Sequence, residues 1–308
     1  NYSGLTPEVT VQLKQNNVNY GSTVALNSSN SYTYTFSDLP MYSSGTTLYS
    51  YTVDETSVPQ GFEKVGVTYG SSTSATITNK QTLVSVPFTK TWNDSASVHP
   101  TVTIKLLQDG GSTAFRTQTL PVSGNWTYTF ANLPAGHYVT SGGSAVYSAY
   151  VYTVEESAVT GYVGGAPTGN ATSGFTIVNT PETVSVSVAK LWSGDTGYTA
   201  YRPASLTLTL KRKLADNSVD SWSQNVTVTA AGGWDETVTG LTKGYYTYAS
   251  STYTYNLYSY YVVEPTTPAG YVKTESGLNV TNTFQTTKVK VTKVWRDDTN
   301  GDGTYETP

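Results

Sequence analysis

The feature that most constrains this 308-residue chain is an internal repeat of about one hundred residues. A segment ending in Lys-x-Trp occurs three times, and its lysines are Lys90, Lys190 and Lys293, spaced by 100 and 103 residues. A repeat of this kind sets the architecture, because each copy is one unit of folding. We therefore interpret the chain as consecutive modules and not as one domain.

The same order of short apolar segments accompanies each Lys-x-Trp segment. In several of them apolar residues alternate with polar ones, which is the period of a strand with one buried face. The alternating segments are Val9–Leu13, Val102–Leu106 and Leu206–Leu210, followed by Tyr32–Phe36, Trp126–Phe130 and Trp234–Val238. Next come the acidic segments Tyr51–Glu55, Tyr152–Glu156 and Tyr260–Glu264, and then the closing segments Ile77–Asn79, Ile177–Asn179 and Val280–Asn282.

The repeat divides the chain into four parts. Module 1 (1–81) is incomplete and lacks its first strand, whereas module 2 (82–182) and module 3 (183–285) are complete. The C-terminal segment (286–308) holds the first strand and loop of a further module. The first and last parts are therefore complementary.

The composition predicts an all-β chain. Charged residues make up 12% of it and aromatic residues 13%, and 26 of the residues are Tyr. Tyr and Thr suit a pleated, half-buried surface and lose rotamer freedom in a helix. The chain has no Cys, so a secreted protein of this kind would need some covalent support other than disulfides.

Several classes of function are disfavoured. The net charge is −4 and no long run of Lys or Arg occurs, which argues against nucleic-acid binding. No apolar stretch is long enough to insert in a membrane. His99 and His137 are the only histidines, so a hydrolase triad or a zinc site is not expected, and we expect His99 to be solvated. We predict a structural protein that is not an enzyme.

The motifs Val-x-Lys-x-Trp, Tyr-x-Val-x-Glu, Gly-Tyr and Ile-x-Asn resemble those of the collagen-adhesin B-type (Cna B-type) repeat domains of Gram-positive surface adhesins and pilins. The resemblance covers essentially the whole chain. It implies an all-β fold of tandem immunoglobulin-like, prealbumin-type β-sandwich modules. It also implies a protein that is extracellular, at the cell surface or in the cell wall.

The resemblance further implies an isopeptide bond in each complete module. In that family a Lys on the first strand joins an Asn on the last strand, and a buried acid assists. By position, the sets are Lys90, Glu156 and Asn179 in module 2, and Lys190, Glu264 and Asn282 in module 3. Glu155 is a second candidate acid, but strand alternation places Glu156 on the same face as Tyr152, so we prefer Glu156. Module 2 departs from the pattern at Pro87, which cannot donate to a sheet and favours an edge strand.

The chemistry of such a bond explains the residue types. A Lys amine attacks an amide only when it is neutral, and burial favours the neutral amine. Burial also favours the protonated form of a carboxyl group, which can then hydrogen-bond the Asn amide. Folding would bring the groups into contact, so one module would react once and need no cofactor.

A third set is divided between the two ends of the chain. Glu55 and Asn79 lie in module 1, and Lys293 lies in the C-terminal segment. One interpretation is a longer repeat chain cut at an arbitrary point. The other is that the Lys293 strand inserts into module 1 of the next subunit, which would make a head-to-tail homopolymer.

Two further segments suggest binding. Asp298, Asn300 and Asp302 match the start of a calcium loop, although such clusters are also ordinary turn formers. Module 3 carries a Tyr-rich segment, Tyr245–Tyr255, which we predict to be an insertion absent from the other modules. Tyr is a good contact residue, so an alternative function is an adhesin that binds a host protein or glycan through this segment. We favour a longer hairpin with one packed face.

Overall fold

A computed structural model of the chain describes residues 4–70, 74–120, 126–295 and 301. Within these ranges the regular structure consists of strands and two short 3₁₀ turns, Ser28–Asn30 and Thr199–Tyr201. The chain forms two compact units. One comprises Asn1–Pro181 with Tyr248–Tyr253, and the other comprises Glu182–Thr247 with Thr254–Pro308.

The strands follow the repeat. Module 1 has β1 (Val9–Gln15), β2 (Val18–Asn19), β3 (Val24–Leu26), β4 (Tyr51–Glu55), β5 (Phe62–Tyr69) and β6 (Ala75–Gln81). Module 2 has β7 (Leu83–Trp92), β8 (Val102–Gln108), β9 (Arg116–Leu120), β10 (Thr127–Pro134), β11 (Gly136–Ser141), β12 (Ser144–Ala149), β13 (Tyr152–Glu156), β14 (Tyr162–Gly164), β15 (Thr168–Asn170) and β16 (Gly174–Pro181). Module 3 has β17 (Thr183–Ser193), β18 (Ser205–Lys213), β19 (Val219–Thr229), β20 (Asp235–Thr242), β21 (Gly244–Ala249), β22 (Thr252–Leu257), β23 (Ser259–Val263), β24 (Tyr271–Ser276) and β25 (Asn279–Phe284).

Module 2 is an immunoglobulin-like sandwich of two sheets. One sheet has the order β10-β7-β16-β14, with β15 also on β16, and the other has the order β13-β8-β9. Strands β7 and β16 run parallel, whereas the other pairs are antiparallel. Alternate residues of both sheets face inward and form one core: Val86, Phe88, Val102, Ile104, Leu106, Leu120, Phe130, Leu133, Tyr152, Val154, Phe175 and Ile177. Each large apolar side chain buried there contributes about 1.5–3 kcal/mol.

Module 3 repeats this arrangement. Its sheets have the orders β20-β17-β25-β24 and β19-β18-β23, and the parallel pair is β17 with β25. The core again draws on both sheets, with Val188, Leu208, Leu210, Val226, Val228, Trp234, Val238, Leu241, Val262 and Val280 buried. In each complete module the first strand of the module therefore lies beside its last strand.

The expectation that Pro87 marks an edge strand is wrong for β7 as a whole. This strand lies between β10 and β16. Pairing with β16 begins one residue later, at Phe88 opposite Phe175. At Pro87 the strand is paired with β10 alone, opposite Thr129, so the missing N–H is tolerated inside a central strand.

Module 1 forms only part of a sandwich. One sheet is present, with β1 between β2 and β3 and also paired with β4. The second sheet consists of β5 and β6 alone among the described residues. The predicted strand over Tyr32–Phe36 is wrong, because these residues belong to no strand. In module 2 the corresponding strand pairs with the Lys-x-Trp strand, and module 1 has no such strand to pair with.

The C-terminal segment also differs from the sequence prediction. Residues 286–295 form no strand, although the Lys-x-Trp pattern predicts one. Its apolar side chains are open to solvent, with Val289 82% and Trp295 74% exposed. Burial of these apolar side chains would be favourable. The segment therefore has the composition of a strand but lacks a neighbouring strand to pair with.

The predicted insertion in module 3 is wrong, because module 2 has a hairpin of the same length at the same position. Strands β11 and β12 form that hairpin, and β21 and β22 form its counterpart. The aromatic residues make cross-strand pairs in both. Tyr138 and Tyr147 have ring centroids 5.5 Å apart, and Tyr246 and Tyr255 are 5.2 Å apart. The many tyrosines are thus explained in part by pairing within the hairpin.

The hairpin of module 2 packs against module 1. The Tyr138 hydroxyl donates a hydrogen bond to the carbonyl oxygen of Gln60 at 2.9 Å, and the Tyr138 ring stacks on Phe62. Gly61 lies against Tyr147 and has a φ of +79°. A Cβ at Gly61 would come within 2.2 Å of the Tyr147 ring, so only glycine fits.

A Gly61→Ala substitution tests this contact. We expect it to weaken docking by roughly 1–3 kcal/mol, because alanine is strained at this φ and its methyl group displaces Tyr147. Hydrogen–deuterium exchange of residues 136–149 should rise about tenfold or more. Gly45→Ala is the control, since nothing lies within 4 Å of a Cβ there. Equal exchange in the two variants would contradict the docking.

Candidate functional site

The parallel pairing of first and last strands brings the predicted site residues together. In module 2, Lys90 on β7 lies opposite Ile177 on β16, and Asn179 lies opposite Trp92. Because side chains alternate along a strand, Lys90 follows the buried residues Val86 and Phe88 into the core. Asn179 follows Ile177 inward in the same way and is fully buried.

Glu156 reaches this pair from the opposite sheet. It ends β13, where it is paired with the core residue Ile104 of β8. Its Oε1 lies 3.8 Å from Lys90 Nζ, and the Lys90 side chain is completely buried. Glu155, the other candidate acid, faces outward and forms an ion pair with Lys105 at 2.8 Å.

The surroundings of Lys90 favour its neutral form. Its Nζ donates to the carbonyl oxygen of Thr91 at 2.6 Å and lies 4.0 Å from the centroid of the Trp92 ring. Burial lowers the pKa of the Lys90 amine to about 8, and the nearby Glu156 offsets only part of that effect. Burial also raises the pKa of the Glu156 carboxyl group, against the opposing effect of Lys90. Both changes bring the pair towards the uncharged state.

The polar atoms of this site are poorly satisfied. Neither Nδ2 nor Oδ1 of Asn179 has a hydrogen-bond partner among the described residues, and nor does Oε1 of Glu156. A buried polar atom without a partner costs about 1–3 kcal/mol. Gly164 covers the two groups, since a Cβ there would lie 3.2 Å from Glu156 Oε2 and 3.3 Å from Asn179 Oδ1. Because these unpaired polar atoms destabilise the fold, their presence together indicates a role other than stabilising the module.

Module 3 contains the same set, with a hydrogen bond between its Asn and its Glu. Lys190 Nζ lies 3.9 Å from Glu264 Oε1, and Asn282 Nδ2 donates to that oxygen at 3.1 Å. The side chains of Lys190 and Glu264 are completely buried, and Asn282 is buried too. Burial lowers the pKa of Lys190 to about 8, with Glu264 acting in the opposite direction. Lys190 Nζ also donates to the carbonyl oxygen of Val280 at 3.3 Å.

In module 1 the structure brings two of the three predicted residues together. Asn79 Nδ2 donates to Oε1 of the buried Glu55 at 2.9 Å. Glu55 Oε2 and Asn79 Oδ1 have no hydrogen-bond partner in the described part of the chain. The third residue, Lys293, lies in the exposed C-terminal segment, where its Nζ is 3.1 Å from the centroid of the Trp295 ring.

Sequence reasoning missed a group of residues next to each site, and it was wrong about His99. That residue is half-buried, stacks on Trp92 with ring centroids 4.3 Å apart, and contacts Asp94 at 2.8 Å. In module 3, Arg202 and Asp195 occupy the corresponding place. The signal available was an Asp two or three residues after each Lys-x-Trp.

The remaining predicted site falls outside the described residues. Asp298, Asn300 and Asp302 are not among them, so calcium binding stays a prediction. Within the described ranges no group of three or more His, Cys, Asp or Glu side chains comes together. No helix there has the length and apolar character to cross a membrane.

The arrangement is chemically suited to acyl transfer. A neutral amine is a nucleophile, an amide carbon is its electrophile, and a protonated carboxyl group beside both can donate and accept protons. The groups are held by strands of a rigid sandwich in a dry core, where little reorganisation is needed.

The lowered pKa of Lys90 predicts a pH effect in an Asn179→Ala chain, whose Lys90 cannot react. The folded chain releases the Lys90 proton near pH 8, whereas the unfolded chain keeps it to about pH 10.5. Since the unfolded state binds more protons in this window, the free energy of unfolding rises with pH. We expect a rise of about 2–3 kcal/mol between pH 8 and 10, measured by urea unfolding. The control is a Lys90→Met, Asn179→Ala chain, and an equal rise in it would contradict the prediction.

Comparisons with known proteins agree with the repeat. The Cna protein B-type domain family matches residues 1–80, 86–180 and 186–283. A collagen adhesin of Staphylococcus aureus is 31% identical over 316 residues, which cover 98% of this chain and 24% of the adhesin. The chain thus spans about a quarter of the length of this relative.

Solved structures of two kinds are also similar. Two B repeat units (B1B2) of the collagen-binding protein (Cna) of Staphylococcus aureus share 24% identity, covering 90% of this chain and 69% of theirs, with a TM-score of 0.36. The shaft pilin SpaA of Lactobacillus rhamnosus GG shares 12% identity, covering 68% of this chain and all of the pilin, with a TM-score of 0.22. On the family match and the identity to the adhesin, the chain belongs to the Cna protein B-type domain family.

Proposed function

We propose that this protein is part of an extracellular stalk or pilus-like filament whose complete modules crosslink themselves by Lys–Asn isopeptide bonds. The observation that carries the proposal is a buried Lys, Glu and Asn at one place in two modules, with Glu 3.8 Å and 3.9 Å from the Lys amines. The name of the sequence relative, a collagen adhesin, supports a place at the cell surface or cell wall.

The reaction in module 2 needs no co-reactant. The lone pair of neutral Lys90 Nζ attacks Cγ of Asn179, while the Glu156 carboxyl group hydrogen-bonds the amide. The new Nζ–Cγ bond forms and the Cγ–Nδ2 bond breaks. One proton passes from Nζ to Nδ2 through the Glu156 carboxyl group, and ammonia leaves. Lys190, Glu264 and Asn282 take these roles in module 3. Each module reacts once, so the protein is not an enzyme with turnover.

The bond would stabilise each module and carry load. It closes a loop of about 90 residues, and on the chain-entropy model such a loop is worth roughly 4–5 kcal/mol. Because β7 enters the module and β16 leaves it as parallel neighbours, tension would pass through the Lys90–Asn179 bond. The residues between Lys90 and Asn179 would then carry little of the tension. This mechanism suits a stalk without Cys.

Intact mass spectrometry of the purified chain tests the proposal. We expect the mass to fall short of the sequence value by two ammonias, with one fewer lost in Lys90→Ala and none in the Lys90→Ala, Lys190→Ala chain. Lys105→Ala is the control, because Lys105 forms only an exposed ion pair. A wild-type chain at its full sequence mass would refute the crosslinks.

We further propose that the divided set closes between subunits. Strand β6 has β5 on one edge and no strand on the other in the described residues, whereas its counterpart β16 lies beside β7. Glu55 and Asn79 already form a hydrogen-bonded pair with unused oxygens. The exposed segment around Lys293 has the sequence of the missing strand. Insertion of this segment into module 1 of a second copy would cover the free edge of β6 and bring Lys293 to Glu55 and Asn79. Repeated from copy to copy, this would build a covalent head-to-tail filament.

Denaturing gels of concentrated protein test the filament. We expect a ladder of covalent multimers that is lost in Lys293→Ala and in Asn79→Ala. The control is Lys288→Ala, which removes an exposed lysine from the same segment. Monomers alone in the wild type, or a ladder that persists in Lys293→Ala, would contradict strand donation.

The alternative function is a host-protein or glycan adhesin that uses the Tyr245–Tyr255 hairpin of module 3. Its Tyr248 is 52% exposed, which suits a contact residue. Against this role, Tyr246 pairs with Tyr255 and Tyr248 with Tyr253 across the hairpin. We therefore place the stalk first.

A further inference from the structure

The tryptophan two residues after each core lysine forms one wall of the lysine pocket. Trp92 lies with its ring centroid 4.0 Å from Lys90 Nζ, and Trp192 lies 4.5 Å from Lys190 Nζ. Neither indole Nε1 has a hydrogen-bond partner among the described residues. The orientation of each ring therefore depends on what packs against it and not on a hydrogen bond of its own.

In module 3 the outer neighbours of Trp192 are tied together by a buried carboxylate. Asp195 is 3% exposed and accepts hydrogen bonds from Arg202 Nε at 2.6 Å and Arg202 Nη2 at 2.8 Å. It also accepts one from the Tyr271 hydroxyl at 2.9 Å. The guanidinium carbon of Arg202 lies 5.4 Å from the Trp192 ring centroid, and the Tyr271 ring meets it edge-on at 4.9 Å. Hydrogen bonds from Arg202 hold the pKa of Asp195 at about 2, so the carboxylate is ionised.

Module 2 achieves the same enclosure with a different residue. The His99 ring stacks on Trp92 at an interplanar angle of 21°, and its Nε2 is 2.8 Å from Asp94 Oδ1. Tyr162 meets Trp92 edge-on at 4.7 Å, as Tyr271 meets Trp192. Asp94 and Asp195 follow their tryptophans by two and three residues, while His99 and Arg202 come from later in the same loops. Different side chains thus produce one arrangement, which argues for a shared role.

We infer that Asp195 with Arg202, and Asp94 with His99, are positioning pairs that hold the tryptophan over the lysine amine and exclude water from the crosslinking site. The inference rests on the proposed isopeptide chemistry. These residues are not among the reacting groups and act mainly through the tryptophan, although the Asp94 charge also raises the Lys90 pKa directly.

The physical reason lies in the solvation of the amine. Burial is the main cause that lowers the lysine pKa in both modules. If the tryptophan moves aside, water reaches the amine and its charged form is stabilised. Each pKa unit regained reduces the neutral, reactive fraction about tenfold at a pH below the pKa. A loosened tryptophan should therefore slow bond formation without removing any reacting group.

The rate of bond formation tests the inference. The full chain is made by cell-free translation, synthesis is stopped, and samples are denatured at intervals and digested. Mass spectrometry then quantifies the branched Lys190–Asn282 and Lys90–Asn179 peptides. In Arg202→Gln we expect the module 3 bond to form at least about tenfold more slowly, because a rise of about one unit in the Lys190 pKa reduces the neutral amine about tenfold. The module 2 bond in the same chain is the internal control and should keep its rate.

A matched variant shows whether losing any Arg–Asp ion pair in module 3 slows bond formation. Arg212 also pairs with a carboxylate, Asp220, and also lies near a tryptophan, Trp222 at 5.3 Å, within module 3. Arg212→Gln should leave the rate of the Lys190–Asn282 bond unchanged. Slowing equal to that of Arg202→Gln would overturn the inference, because it would show a general effect of destabilising the module.

A second measurement separates positioning from folding. In an Asn282→Ala chain Lys190 remains a free amine, and its rate of acylation by an amine-reactive reagent can be followed against pH. Adding Arg202→Gln should shift the midpoint of that profile upward, towards the ordinary range of a solvent-exposed lysine. An unchanged midpoint would overturn the inference. If Arg202→Gln fails to fold, the test is repeated at Lys90. An Asn179→Ala chain is then compared with a chain that carries both Asn179→Ala and His99→Ala.

The outcomes distinguish this inference from the proposed function. If the wild-type chain forms both bonds and Arg202→Gln forms its module 3 bond at the wild-type rate, the positioning role is wrong and the crosslinking stands. If the wild-type chain forms neither bond, the proposed function and this inference both fail.

Discussion

A lysine amine buried between the first and last strands is the constraint on which each complete module depends. Removing a charged ammonium from water costs several kcal/mol, and a carboxylate nearly 4 Å away compensates only in part. Burial reduces this cost by lowering the pKa of the lysine in both modules and, in module 2, by raising the pKa of Glu156. That requires a dry site, and the surrounding elements supply it: the tryptophan on the same strand, the glycine-containing strand β14 in module 2, and the loop pairs outside the tryptophan.

The sequence predicted the parts of this fold that depend on local periodicity. Alternation over Val102–Leu106 and Tyr152–Glu156 predicted β8 and β13, and the same alternation distinguished the inward Glu156 from the outward Glu155. These predictions succeeded because a strand with one buried face must repeat every two residues. The all-β class follows from many such segments in one repeating order, whereas the immunoglobulin-like sandwich was what the resemblance to the Cna B-type domains implied.

The predictions that failed depended on partners far away in the chain. Tyr32–Phe36 has the pattern of a strand but lacks the neighbour that makes its counterpart a strand in module 2. Pro87 is tolerated in a central strand because pairing with β16 begins only at the next residue, Phe88. His99 could not be assigned to Trp92 from the sequence, since loop conformation brings them together. The resemblance implied that Lys90 meets Asn179, but the parallel register of β7 and β16 that brings them together was visible only in the fold.

The docking of the β11–β12 hairpin on module 1 has a mechanical consequence. Only Thr82 separates β6 from β7, so a connection this short would by itself act as a hinge. A strand of six residues extends about 20 Å, so the hairpin can place a second attachment well away from that hinge. Two attachments at a distance from each other resist bending torque as a braced joint does, whatever the strength of either contact alone. At this joint stiffness would come from geometry, while the proposed crosslinks would supply tensile strength inside the modules.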